Sequence, residues 1–100
     1  MKKINFSDYN SCLSGSCVVS FGADWCRDCR FAKPILEELS KKYENINFFE
    51  VDVDEDEKIR DTMGIRHIPT ILFLKDGVEV CERLVEPRSA NIIEECVKKL

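Results

Sequence analysis

A strand that runs directly into a helix and is followed by a second strand is the pattern that most constrains this chain. Cys17-Val18-Val19-Ser20-Phe21 is a short apolar run of strand character. It passes through Gly22-Ala23-Asp24 into a helical stripe in which Ala32, Ile35, Leu36, Leu39 and Tyr43 fall at i, i+3, i+4, i+7 and i+11. Pro34 lies inside the stripe, where it removes a backbone donor and is expected to kink the helix. Between Ile46 and Val53, Phe49, Val51 and Val53 alternate against Glu50 and Asp52, as on a second strand. Strand, helix, strand in that order implies a right-handed parallel crossover.

The flanking segments are read in the same way. Residues 1–16 offer an edge strand at Ile4 to Phe6 and then a polar stretch broken by Ser14-Gly15-Ser16. Asp54 is expected to cap a short connecting helix, with Glu57 three residues on and Gly64 as its stop. Ile71 to Leu74, the turn Lys75-Asp76-Gly77, and Val78 to Val85 read as an antiparallel hairpin. After Pro87, the residues Ile93, Cys96, Val97 and Leu100 share one face of a final helix. The expectation is one α/β domain over residues 1–100, with a mixed central sheet of about four strands flanked by helices.

At the junction of the first strand and helix stands Trp25-Cys26-Arg27-Asp28-Cys29-Arg30. The spacing of Cys26 and Cys29 lets their sulfurs close a small ring on the first helical turn. Unpaired backbone N–H groups and the macrodipole at a helix N-terminus favour a thiolate over a thiol at Cys26. A thiolate attacks disulfides, so one local arrangement supplies a nucleophile and a resolving partner. Cys-x-x-Cys alone is shared with zinc sites and haem attachment. The strand before it, the helix after it and Ile68-Pro69-Thr70 downstream make the signal specific.

Charge and hydropathy narrow the partners. A formal net charge of −4 argues against nonspecific binding to nucleic acid or anionic membrane, which require a basic face. The acidic run from Glu50 to Glu57 reads as a solvated strand end and helix start. Met1-Lys2-Lys3 is followed by Asn5, Ser7, Asp8 and Asn10, so no apolar signal-peptide core is present. No stretch approaches the roughly 20 apolar residues of a membrane span. A cytoplasmic setting is expected, where thiols are kept reduced.

These residues together resemble the thioredoxin family over nearly the whole chain. The resemblance rests on Phe21-Gly22-Ala23-Asp24-Trp25-Cys26 with Cys29, Pro34 followed by Ile35-Leu36, Val51-Asp52-Val53-Asp54, Gly64-Ile65-Arg66-His67-Ile68-Pro69-Thr70, and the Lys75-Asp76-Gly77 turn. It implies a thioredoxin-like fold and protein-disulfide reductase activity with electron-carrier function and no cofactor. Cys26 would attack, the buried Cys29 would resolve, and the two would form the redox disulfide. Pro69 would be cis and face the cysteines, the Ile68 backbone would pair with a substrate strand, and Trp25 would shield the site and contact substrate. The implied partners are disulfide-containing proteins and a thioredoxin-reductase-like electron donor, with the chain acting as a monomer.

The chain departs from the family pattern at named positions. Members usually carry Gly-Pro between the cysteines, where this chain has Arg27-Asp28. Arg27 favours a Cys26 thiolate and Asp28 opposes it, which leaves open a reduction potential that spans about −270 to −120 mV across related sites. The family usually buries an aspartate beneath the resolving cysteine; the aligned residue here is Ser20. On the neighbouring strand it usually places a lysine; here Glu50 stands there. A carboxylate moved across the strand pair would let Glu50, through Ser20 or a water, deprotonate Cys29. Arg27, Asp28, His67 and Val85-Glu86, where a glycine is common, give a charged rim and point to a dedicated reductase. His67 would contact substrate or, protonated, favour the thiolate.

Of the other cysteines, Cys81 and Cys96 are expected as small buried hydrophobes. Cys12 and Cys17 frame a regulatory disulfide as one reading. Grouping them with Cys26 and Cys29 as four zinc ligands would require breaking the intervening strand. The alternatives to an oxidoreductase are thus a zinc-binding module and a redox-inactive interaction module on a thioredoxin-like frame.

Overall fold

The computed structural model describes residues 1–55 and 58–100, and at Cys12 the backbone alone. The apolar run around Val18 forms β2 (Ser16–Gly22), buried from Cys17 to Phe21 because it is central. It pairs in parallel with β3 (Asn47–Asp52) on one side and antiparallel with β4 (Thr70–Lys75) on the other. The register sets Ser20 opposite Glu50 and Ile71, and Phe21 opposite Val51 and Thr70. Between β2 and β3 runs α1 (Arg27–Lys42), which continues through Pro34. The remaining elements are β1 (Lys2–Lys3), α2 (Ile59–Met63), β5 (Val78–Glu79), β6 (Leu84–Val85) and α3 (Ala90–Val97). The sheet order is β1-β3-β2-β4-β5, with β6 also paired to β4.

Two apolar layers hold this sheet. On one face Val18, Phe48, Ile71 and Phe73 meet Leu36 and Leu39 of α1 and Ile93, Cys96 and Val97 of α3. On the other, Val19, Phe21, Val51 and Leu72 meet Ile59, Ile65 and Ile68, with Tyr9 and Leu13 of the N-terminal segment. Burial of each such large side chain is worth about 1.5–3 kcal/mol against leaving it in water. Leu100 lies beyond α3 yet packs partly buried on the first layer, as its place on the helical stripe implied.

Four expectations need correction. Among the described residues the sheet has six strands rather than about four, and three of them are two residues long. The edge strand lies at Lys2–Lys3 instead of Ile4 to Phe6. Ile4 N still donates to Glu50 O (2.9 Å), but Asn5 Oδ1 accepts from Asp8 N (3.0 Å) and caps a 3-10 turn at Phe6–Asp8, a local bond that competes with strand pairing. Asp54 does not cap α2: Lys58 holds that position, and Asp54 Oδ2 accepts from Trp25 Nε1 (2.6 Å). The Glu57 half of the expected capping box lies outside the described residues. Gly64 does end α2, at φ 66°. Finally, Val78 to Val85 is not one strand. Val80 N still donates to Phe73 O (3.0 Å), but Arg83 bonds to both carboxylate oxygens of Glu79 (2.9 and 3.2 Å) and to Met63 O (2.8 Å), which holds residues 81–83 off the ladder.

Candidate active site

The end of β2 and the start of α1 deliver the two thiols. Cys26 is the N-cap of α1, with extended backbone (φ −82°, ψ 119°), and its N–H donates to Ala23 O (3.2 Å). Cys26 Sγ accepts from Cys29 N at 3.2 Å, so sulfur does what a capping oxygen usually does for an orphan helix donor. Negative charge on that sulfur is therefore met by a backbone N–H and the positive end of a sixteen-residue helix. On its other side the Cys26 thiol donates to Ile68 O (3.6 Å), next to the cis Ile68–Pro69 bond.

The sulfurs look onto different clefts. Cys26 lines a shallow one of about 430 Å³ with Trp25, Arg27, Asp28, His67, Ile68 and Glu86, and with Arg60 and Arg66. Cys29 lines a second, of about 240 Å³, with Ser20, Gly22, Lys33 and Glu50 among its walls. The Cys26 cleft forms the front of the site and the Cys29 cleft its back. Ser20 and Gly22 are small residues at the end of β2, and the space they leave is what opens Cys29 to the back.

This arrangement corrects the expectation that Cys29 is the buried thiol of the pair. Cys26 is only 6% exposed, while Cys29 is half-buried. Burial nevertheless pushes the Cys29 thiol up to about 12, and its contact with Cys26 pushes in the same direction. Cys29 therefore needs a proton acceptor before it can attack.

The supporting residues separate in the same way. Trp25 is 63% exposed, which excludes a core-packing role, and it leans on Asp54 rather than on the sheet. Arg27 and His67 are exposed on the front cleft, where the His67 carbonyl accepts from Thr70 Oγ1 (2.6 Å). Asp28 pairs with Arg88 (3.3 Å). Glu50 is cross-strand from Ser20 in the back cleft and forms an ion pair with Lys33 (3.5 Å).

Sequence reasoning missed Arg60, Arg66 and Arg88 at the front and Lys33 at the back. The three arginines reach the Cys26 side only through tertiary folding, whereas Lys33 stands one helical turn after Cys29 on α1 and was open to i, i+4 reasoning. The role of Gly22 was legible only as part of a motif. A methyl group there would stand 2.9 Å from Cys29 Sγ.

Cys17 is the second residue of β2 and the Cys26–Cys29 pair follows its far end, so the strand separates them. Among the described residues no group of three or more His, Cys, Asp or Glu side chains is placed to hold a metal ion. The Cys12 part of the zinc reading, and of the Cys12–Cys17 disulfide, lies outside the described residues. No described helix is long and apolar enough to cross a membrane.

What the geometry can do chemically is a two-step sulfur exchange. One sulfur is poised at a helix N-terminus beside an open cleft, and a second touches it from a separate proton-accessible side.

Comparison with known proteins agrees with that chemistry. The family model described as Thioredoxin matches residues 1–99. A thioredoxin of Aspergillus fumigatus is 40% identical over 87 residues, covering 87% of this chain and 80% of the relative. The solved structure of Plasmodium falciparum thioredoxin superposes with a TM-score of 0.85 at 28% identity, covering 98% of each chain. The oxidised form of mitochondrial thioredoxin 3 from Saccharomyces cerevisiae gives 0.86 at 25% identity, covering all of this chain and 95% of that one.

Proposed function

The chain belongs to the thioredoxin family and is a thiol–disulfide oxidoreductase with protein-disulfide reductase activity, and from that premise we propose how its residues divide the work. Its substrates carry disulfides, and a reductase-type partner restores its thiols. The observation that carries the reading is the contact of Cys29 N with Cys26 Sγ at a helix N-terminus, facing Ile68 across the front cleft.

Cys26 Sγ, as thiolate, attacks one sulfur of the substrate disulfide. The substrate S–S bond breaks, its second sulfur leaves as a thiolate and takes up a proton, and a mixed disulfide joins Cys26 to substrate. Cys29 then loses its proton and attacks Cys26 Sγ. The mixed disulfide breaks, the substrate departs as a dithiol with two electrons gained, and Cys26–Cys29 remains as a disulfide. Glu50, the carboxylate of the back cleft, takes the Cys29 proton directly or through Ser20 or water, and Lys33 holds it in place. Trp25, Ile68 and Pro69 receive the substrate backbone, with His67 beside them.

Arg27-Asp28 makes the active-site sequence atypical for the family. Together with Arg60, Arg66 and Glu86 it gives the front cleft a mixed-charge rim, which favours a dedicated reductase over a generic one through charge matching. The chain works as a monomer and electron carrier in the cytoplasm, where a reducing pool supports redox homeostasis.

The test uses two variants on a disulfide-bonded protein substrate. C29S should accumulate a stable mixed disulfide through Cys26, and C26S should form none. Catalytic reduction by C26S, or turnover by C29S at the wild-type rate, would overturn the assignment.

A further inference from the structure

A second pair of thiols lies far in sequence from the first. Cys96 sits on the inward face of α3, 8% exposed, within the apolar layer under the sheet. Cys81 lies in the segment between β5 and β6 and packs on that same layer while remaining half-buried at the surface. Both side chains thus pack on one apolar layer, where Cys96 is the neighbour that, after burial, most strongly holds the proton on Cys81. The pairing follows from the broken strand: the Arg83 anchors to Glu79 and Met63 turn this segment off the ladder. Cys96 is buried as the sequence reading expects, whereas Cys81 is only half-buried.

We propose that Cys81 and Cys96 are a second redox dithiol, which closes under an excess of low-molecular-weight disulfide and ties the β5–β6 segment to α3. Cys81, the less buried member, attacks one sulfur of the small disulfide as its thiolate. The S–S bond breaks and one small thiolate leaves. Cys96 then attacks the Cys81 sulfur, the mixed disulfide breaks, and the second small thiolate leaves. Two electrons pass to the small disulfide, and the protons lost by the two cysteines go to the departing thiolates. No protein substrate is required, so this chemistry is independent of the front cleft.

Burial and the contact with Cys96 push the Cys81 thiol up to about 11, with Glu79 adding in the same sense and Lys99 opposing. Few thiolates exist at neutral pH, so closure should be slow there. The rate should rise about tenfold per pH unit while the thiol remains mostly protonated.

The experiment treats the full chain with glutathione disulfide at pH 7 and pH 9, blocks remaining thiols, and maps tryptic peptides by mass spectrometry. Cleavage after Lys75, Arg83, Arg88 and Lys98 places the two cysteines on separate peptides, 76–83 and 89–98. The expected result is a disulfide-linked pair of these peptides, appearing after the Cys26–Cys29 disulfide and faster at pH 9. In C96A, Cys81 should instead carry glutathione that persists, because the displacing thiol is gone. The proposal is overturned if Cys81 and Cys96 stay free at both pH values. It is equally overturned if wild-type Cys81 retains glutathione as C96A does. Neither result bears on substrate reduction by Cys26, which is read separately.

Discussion

Replacing Gly22 by alanine tests the separation of the two clefts. The new methyl carbon would lie 2.9 Å from Cys29 Sγ and 3.4 Å from its Cβ. Carbon contacts are comfortable at about 3.5–4.0 Å, so the sulfur must retreat by roughly 1 Å. The strand cannot give way easily, because Gly22 O accepts from Val53 N (3.0 Å) and Gly22 is in register with Asp52. Nor does the backbone demand glycine here, since Gly22 does not adopt a positive φ. The displacement therefore falls on Cys29 alone. A misplacement of about 1 Å costs up to ~100-fold in a reaction needing aligned atoms, or about 2.7 kcal/mol of barrier. Overpacking should also cost about 1–3 kcal/mol of stability. The assay is single-turnover resolution of a preformed mixed disulfide, paired with alkylation of Cys26 in the reduced protein. Resolution should slow between about tenfold and 100-fold, whereas Cys26, which faces the other cleft, should alkylate within about twofold of wild type. Resolution at the wild-type rate by folded G22A protein would refute the reasoning.

E50Q should slow mixed-disulfide resolution by at least about tenfold near neutral pH and move its pH profile, since general bases contribute about 10²–10⁴; an unchanged profile removes Glu50 from the proton path. Glu86 holds a left-handed backbone at φ 49°, which costs an L-residue about 1–2 kcal/mol. E86G should relieve most of that, offset by glycine's greater chain entropy, and raise Tm by a few degrees; a lower Tm contradicts the strain argument. Folding raises the Cys29 thiol from its ordinary 9.0 to about 12, so the folded chain holds that proton more tightly than the unfolded one. The resulting stability is present below about pH 9 and fades as the pH climbs toward 12. Urea midpoints at pH 8 and pH 10 should thus fall more for the dithiol than for the Cys26–Cys29 disulfide, and parallel declines would count against the shift.

The parts of the molecule that were legible in the sequence are those written in local periodicity. The alternation between Ile46 and Val53 gave β3 to within a residue at each end, and the stripe from Ala32 to Tyr43 gave the C-terminal end of α1 as closely, because burial on one face enforces the spacing. Gly64 was readable because glycine adopts at no steric cost the left-handed conformation that commonly ends a helix. The short elements were not readable. Asn5 and Arg83 decide where β1 ends and where the last strand breaks, and they do so through side-chain bonds that leave no periodic trace. The thiol pair was legible by spacing, but its exposure was not. That depends on Ser20 and Gly22 being small on a strand facing Cys29, a relation across the fold. That Cys81 packs on the layer that holds Cys96 was invisible for the same reason.

A docked protein partner that caps Trp25 and His67 touches none of the residues that line the recess beside Cys29, and that recess stays wet. Proton traffic can then go on while the partner is still clamped, and the exchange need not wait for the complex to loosen. Residence time on the enzyme would be set by the rim that grips the partner rather than by the acid–base step, so grip and turnover could be tuned by different residues.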